Sequence, residues 1–307
     1  MLDGYGRKVT ELRVSVTPKC NLRCFFCHKE WDFSEEETST QELSRILKVA
    51  ASCGIRRLKI TGGEPLLRED LPAIVRQASA SLDEVSITTN GTFLSELASD
   101  LKKAGLSRVN INLPTLDPRR YAKICGADLL EDVTDGIRAA IEHGFPTKIN
   151  FVVLKGINED EVSAIMDFAR STGAVLQLIE LQPIPSDGGI FERYHVDLSS
   201  MEEELRSMAL SVEATRGGQR NRYVVRHNGS DVKVEVVRPT GNPSFCSLCS
   251  KLRMTSDGKL KPCLLRSDNL VDIVNLLRSG ATDEELAQRF RLAVANREPY
   301  WKASEQK

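Results

Sequence analysis

Residues 12–27 read "LRVSVTPKCNLRCFFC", and two signals meet there. Leu12, Val14 and Val16 share one parity, while Arg13, Ser15 and Thr17 share the other. Alternation of period two marks a strand with one apolar and one polar face. Directly past that strand, Cys20, Cys24 and Cys27 fall within eight positions. A strand that delivers three thiols to one loop puts a chemical site at the end of a sheet.

The alternation recurs along the chain. Leu58 and Ile60, Val85 and Ile87, Val109 and Ile111, and Ile149 and Phe151 carry the apolar parity. Lys59 and Thr61, Ser86 and Thr88, Asn110 and Asn112, and Lys148 and Asn150 carry the polar one. The strands this predicts span 12–17, 57–61, 84–89, 108–113, 147–154 and 174–181, with amphipathic stretches around 40–54, 69–81, 94–104, 129–143 and 159–172 between them. Six strands in βα register predict an α/β fold with a parallel sheet and crossover helices. That suits an incomplete (β/α)6 barrel; a doubly wound sheet is the alternative. After residue 190 the pattern changes to a helix (197–210), strands (222–228 and 232–237) and helices near 268–279 and 282–293, an α+β region. The expected division is therefore 1–190 and 191–307.

Helices must cover the apolar face, so the polar parity points into the barrel. An ordinary barrel fills that interior with branched apolar side chains; this one is expected to hold a polar ligand. The alternative, an antiparallel sheet with one solvated face, is opposed by the helix-length connections.

With 42 Lys and Arg against 43 Asp and Glu in 307 residues, the net charge is -1. That excludes the basic excess of a nucleic-acid coat or membrane-surface protein. No apolar run reaches the ~20 residues that span a bilayer, and the N-terminal "MLDGYGRKVTELR" lacks a signal-peptide core. A soluble, cytoplasmic protein with no membrane or nucleic-acid partner is expected. In that setting thiols stay reduced, so clustered cysteines suggest metal or catalysis. Six of the eight fall into two triplets; Cys53 and Cys125 are isolated and read as small buried apolar side chains.

A closed zinc site or a ferredoxin-type cubane takes four ligands. The first triplet, CxxxCxxC, offers three thiolates, with His28 as a conceivable fourth ligand for zinc. On a cubane, three thiolates leave one iron open for an exogenous ligand. The second triplet, in "FCSLCSKLRMTSDGKLKPCL" (245–264), spaces Cys246, Cys249 and Cys263 as CxxC, thirteen residues, then C. "TSDGK" predicts a hairpin turn that returns Cys263 to the CxxC. Zinc and iron–sulfur both remain open for this set on spacing alone; the nearest upstream histidine is His227.

CxxxCxxC after the first strand, with "TGGEP" (61–65) directly after the second, resembles the radical SAM superfamily. "GRKVTELRVSVTPKCNLRCFFC", "KITGGEPLLR", "TTNG" and "FCSLCSKLRMTSDGKLKPCL" together are similar to the GTP 3′,8-cyclase family, which acts first in molybdenum-cofactor biosynthesis, over residues 3 to 300 or so. The resemblance implies a radical SAM barrel with two [4Fe–4S] clusters, S-adenosylmethionine (SAM) as cofactor and GTP as substrate. Cys20, Cys24 and Cys27 would hold the cluster that SAM chelates. Cys246, Cys249 and Cys263 would hold the second, whose open iron meets guanine. A 5′-deoxyadenosyl radical would take the ribose C3′ hydrogen, and C3′ would attack C8.

Carried over by motif, the SAM contacts are Phe26, Gly62, Gly63, Glu64, Asn112 and Gln182. The glycines are expected to let the backbone approach the methionine moiety. The GTP contacts are Arg13, Lys59, Thr88, Lys148, Lys251 and Arg253; five of these six are cationic. That suits a triphosphate of about four negative charges. The resemblance also implies a homodimer, a reductant of the ferredoxin or flavodoxin class, and a second enzyme that makes cyclic pyranopterin monophosphate from the product. This sequence departs from the family in places: Lys59 and Lys251 stand where Arg is common, Gln182 where Met is, and Pro114 where Asp is. The chain ends "YWKASEQK", without the familiar Gly-Gly. Two rival readings are another twin-cluster radical SAM enzyme, such as a peptide-modifying maturase, and a zinc-stapled binding scaffold.

Overall fold

The computed structural model describes residues 1–28, 35–183, 188–215 and 217–302. The middle of "LQPIPSDGG" and the end of "YWKASEQK" lie outside the described residues. The first part alternates strands and helices as expected: β1 (Glu11–Ser15), α1 (Thr40–Ser52), β2 (Arg57–Thr61), α2 (Leu71–Ser79), β3 (Glu84–Thr89) and α3 (Leu94–Lys103). It continues with β4 (Arg108–Asn112), α4 (Pro118–Cys125), α5 (Leu130–Glu142), β5 (Thr147–Val153), α6 (Val162–Thr172) and β6 (Val175–Glu180). Every neighbouring pair from β1 to β6 is parallel.

Local chemistry accounts for the helices. In α1, Ser39 and Glu42 form a reciprocal capping box that satisfies two orphan amides at the N-terminus. Leu43, Ile46, Leu47 and Ala50 then recur on the buried face. The apolar parity of β1 to β5, from Val14 to Phe151, is buried at 0–1% exposure and forms the core with the helices. α4 went unread in the sequence, although Asp117 caps it through the Arg120 amide and Pro118 occupies its first turn.

The remainder is α7 (Ile190–Tyr194), α8 (Ser199–Met208), β7 (Ala209–Ala214), β8 (Asn221–His227), β9 (Ser230–Val237) and α9 (Pro243–Ser247). Then come β10 (Lys251–Met254), β11 (Lys259–Lys261), β12 (Val271–Asp272), α10 (Val274–Arg278) and α11 (Asp283–Ala295). β9 pairs parallel with β6 and β10 pairs parallel with β1. The strands after residue 190 thus extend the same sheet at both edges, in the order β12-β11-β10-β1-β2-β3-β4-β5-β6-β9-β8-β7. The architecture is an incomplete (β/α)6 barrel whose wall is lengthened by the α+β region. The expected helix at 197–210 ends earlier, at Met208, because Ala209–Ala214 pairs with β8. The one expected at 268–279 shortens to Val274–Arg278, because Val271 and Asp272 pair with β11. No helix of the described residues is long and apolar enough to cross a membrane.

Candidate active site

The loop that follows β1 is fixed from beneath by the turn after β2. Gly63 N donates to Thr17 O at 2.7 Å, and Glu64 N donates to Lys19 O at 2.7 Å. A Cβ on Gly63 would lie 2.0 Å from Lys19 O, and one on Gly62 would lie 2.8 Å from Thr17 O. The close approach that requires glycine here is therefore to the chain's own residues 17–19, which lead into Cys20. Glu64, 1% exposed, accepts from Thr89 Oγ1 at 2.5 Å, Asn90 N at 2.7 Å and Leu66 N at 3.0 Å. Burial raises its carboxyl to about 7, against the pull of those donors. Asn90 Nδ2 donates in turn to Asn21 Oδ1 at 2.8 Å, so the tie from β2 to β3 reaches the cysteine loop.

Within the loop, Leu22 N donates to Cys20 Sγ at 3.5 Å. Burial, with the charges of Glu64 and Cys24, pushes the Cys20 thiol up to about 11. Cys24 hydrogen-bonds Cys125, and this contact with burial raises its thiol far above the ordinary range. Cys125, isolated in sequence, is thus a neighbour of the first triplet; Cys53 stays apart. Phe26 meets Phe25 edge-on, with ring centroids 5.8 Å apart.

Six side chains of the polar parity, Arg13, Lys59, Thr88, Asn110, Lys148 and Asn150, line a cavity of about 540 Å³, a size suited to a nucleotide. All six expected GTP contacts, Arg13, Lys59, Thr88, Lys148, Lys251 and Arg253, line it, with Gln182 and all three cysteines of the second triplet. Phe26, Gly62, Gly63, Glu64 and Asn112 lie outside this lining; Asn112 Oδ1 accepts from Asn150 Nδ2 at 2.9 Å. Nine cationic side chains and three carboxylates line the cavity, a surplus that makes it an anion trap.

Sequence reasoning missed several of these groups. Arg220 and Arg222 reach the cavity and converge on Glu235, itself fully buried. Glu235 accepts from Lys148 Nζ at 2.6 and 2.7 Å, Gln177 Nε2 at 2.6 Å, Arg220 Nε at 2.8 Å and Arg222 Nη2 at 2.8 Å. Burial opposes ionisation of Glu235, but Lys148 and Arg220 outweigh it and hold the carboxyl well below its usual range. The legible signal was the continuing parity of Arg222 and Glu235, beside the Asn228-Gly229 hairpin turn.

Burial lowers Lys59 well below an ordinary lysine, helped by Arg108 and Arg13. Burial and Arg13 bring Lys251 to about 8; it donates to Gln219 Oε1 and lies 5.6 Å from the Phe245 ring centroid. Glu11 resists burial because Arg13, Lys251 and Lys59 surround it, and its carboxyl stays far below the usual range.

The hairpin β10–β11 is antiparallel, as "TSDGK" foretold, and brings Cys263 back to the CxxC. Asn242 caps α9 through the Phe245 amide at 3.0 Å and presents Cys246. Backbone amides of Trp301 and Tyr300 donate to the Cys246 thiol, and that of Lys251 to Cys249. Burial would raise Cys249, but Lys251, Arg253 and Arg297 bring it down to about 7. Among the described residues, no three His, Cys, Asp or Glu side chains converge as a single metal ion requires. In a cubane each thiolate binds its own corner iron. Grouped thiols that receive amide donors and stand beside cations fit such an anionic cluster.

The comparisons agree with this geometry. Residues 14–169 match the Radical SAM superfamily and residues 174–303 match Molybdenum Cofactor Synthesis C. A relative in Thermococcus kodakarensis, "Probable GTP 3',8-cyclase", is 43% identical and covers 98% of this chain and 100% of its own length. One in Pyrococcus abyssi with the same name is 44% identical over 98% of this chain and 99% of its own. The solved structure of Streptococcus suis SuiB bound to S-adenosylmethionine aligns with TM-score 0.69 at 17% identity, covering 92% of this chain and 68% of that one. Native anSMEcpe with bound AdoMet aligns with TM-score 0.59 at 17% identity, covering 90% and 80%. These two share the fold. Superfamily match, fold and cysteine loop agree on a radical SAM enzyme that uses an iron–sulfur cluster and SAM, and with its full-length relatives they place this chain in the GTP 3′,8-cyclase family.

Proposed function

We propose that this chain converts GTP into 3′,8-cyclo-7,8-dihydroguanosine 5′-triphosphate, the first step of molybdenum-cofactor biosynthesis. The observation that carries the reading is one cavity in which a cysteine triplet and nine cationic side chains face the same space. A triphosphate with about four negative charges is the ligand such a surplus favours.

Cys20, Cys24 and Cys27 hold one [4Fe–4S] cluster, and Cys246, Cys249 and Cys263 hold a second. When bound and reduced, the first cluster supplies the electron that cleaves SAM and releases the hydrogen-abstracting radical. Phe26, Asn112 and Gln182 contact SAM, while Gly62, Gly63 and Glu64 shape the turn beside it. Arg13, Lys59, Lys148, Lys251 and Arg253 neutralise phosphate oxygens, and Thr88 donates a hydroxyl. Because Cys246, Cys249 and Cys263 supply three thiolates and leave one corner open, the cluster they hold would offer that corner to the guanine end, with C8 within reach of ribose C3′. The buried wall keeps water from the reacting carbon.

The barrel and the cluster-bearing region meet near residue 190. The protein works in the cytoplasm as a homodimer, draws electrons from a ferredoxin or flavodoxin, and passes its product to the enzyme that makes cyclic pyranopterin monophosphate. The test is anaerobic incubation with GTP deuterated at C3′, SAM and dithionite. One hydrogen atom leaves with 5′-deoxyadenosine, and one electron and one proton return. The product is therefore an isomer of GTP, to be resolved by chromatography before mass spectrometry. Deuterium in 5′-deoxyadenosine and a new isomer are expected. Undeuterated 5′-deoxyadenosine with unchanged GTP would overturn the reading.

A further inference from the structure

Asp3, Arg7 and Arg297 come from opposite ends of the chain and meet behind the second cysteine loop. They are 7%, 7% and 1% exposed. Asp3 Oδ2 accepts from Arg7 Nε at 2.7 Å and from Arg297 Nη1 at 2.6 Å. Asp3 Oδ1 takes the amides of Tyr5 at 3.0 Å and Arg7 at 2.9 Å, so the carboxylate is locked to its own turn. Each guanidinium then spends another nitrogen on a cysteine carbonyl. Arg7 Nη1 donates to Cys246 O at 3.0 Å, and Arg297 Nη2 donates to Cys249 O at 2.6 Å. The two carbonyls are those of the two cysteines of the CxxC.

A buried ion triad is a poor way to stabilise a fold, since apolar residues of similar volume serve as well or better. This one carries two cations against one anion. Its donors converge on one short loop whose side chains line the cavity on the other side. A planar guanidinium fork suits this task, because it fixes direction as well as charge. We propose that Asp3, Arg7 and Arg297 are positioning residues of the second iron–sulfur site. They pin the backbone of Cys246 and Cys249 so that both thiolates face the cavity, and their surplus positive charge holds the anionic cluster. The inference rests on the second-cluster reading given above.

The test uses full-length protein reconstituted anaerobically with iron and sulfide. Wild type should carry about eight irons per chain. On challenge with an iron chelator, Arg297→Gln should lose the iron of its second site at least about tenfold faster than wild type, since a loss of about 1.4 kcal/mol is tenfold. The paramagnetic resonance signal of the first cluster should persist. Arg297→Lys keeps the charge without the fork and should fall between the two. Arg7→Gln tests the other arm and stands in if Arg297→Gln does not fold. Wild-type iron retention in both glutamine variants would overturn the inference. So would parallel loss of both clusters with the fold of the apoprotein, which would make the triad a plain structural tie. Four irons and one zinc in the wild type would remove the cluster reading itself, and the inference with it.

Discussion

Lys148, on β5 and lining the cavity, forms a two-point ion pair with the fully buried Glu235 on β9, with Nζ 2.7 and 2.6 Å from the two carboxylate oxygens. The pair joins the barrel strands to the strands added after residue 190. Removing the lysine does not orphan the carboxylate, because Arg220, Arg222 and Gln177 stay bonded to it. Lys148→Ala should therefore fold and keep its SAM affinity. It should bind GTP more weakly by about 1–3 kcal/mol, the range for one charge-assisted contact. Anaerobic calorimetry checks this; unchanged GTP affinity with a lower melting temperature would make Lys148 structural only.

The same lysine sets a pH dependence. Burial, then Arg220 and Arg108, lower it from 10.5 to about 8, while Glu235 limits the fall. Above about 8 this amine and that of Lys251, which also lies at about 8, lose their protons, so GTP affinity should fall between pH 7.5 and 9 by roughly the worth of two charged contacts. Stability moves the other way. The unfolded chain binds the extra proton between about 8 and 10.5, so this group's contribution to stability rises with pH across that window. Weaker binding above pH 8 is thus not unfolding. Lys148→Arg stays charged and should make the fall shallower, leaving the share that belongs to Lys251.

Gly63→Ala is expected to be severe. Its Cβ would lie 2.0 Å from Lys19 O, a backbone atom that can yield only by moving the segment leading into Cys20. The first site should lose its iron, and 5′-deoxyadenosine production should fall at least about a hundredfold, the scale on which misplaced catalytic groups act. Iron analysis with nucleoside chromatography decides. A variant with full iron and normal SAM cleavage would show that the loop is not held by this turn.

The triplets should separate by function. Cys20→Ala should abolish reductive SAM cleavage. Cys249→Ser should keep the first cluster and some SAM cleavage, yet lose GTP cyclisation and drop from about eight irons to about four. Adding GTP to the wild type should perturb the paramagnetic resonance signal of the second cluster alone.

Much of this site was legible because its signals are local. Alternation along a strand decides which side chains share a face, whatever the strand pairs with. Arg13, Lys59 and Lys148 could thus be placed on one wall from parity alone, and all three line the cavity. The hairpin that returns Cys263 was readable because turn chemistry needs only the residues in the turn. Arg220 and Glu235 were harder: one sits in a loop, and the other is one of two carboxylates, with Asp231, in a valine-rich strand.

By itself the sequence determined the βα rhythm, the polar lumen and the two cysteine loops, all properties of spacing within a few residues. Tertiary structure decided the rest. β10 lies against β1 and β9 against β6; each satisfies an edge whose backbone groups need a partner, and no short-range pattern names that partner. From those pairings follow the second triplet on the cavity wall and the Glu235 cluster. Asp3 meets Arg297 across 294 positions of sequence, a contact that exists only because folding brings the two ends of the chain behind one loop.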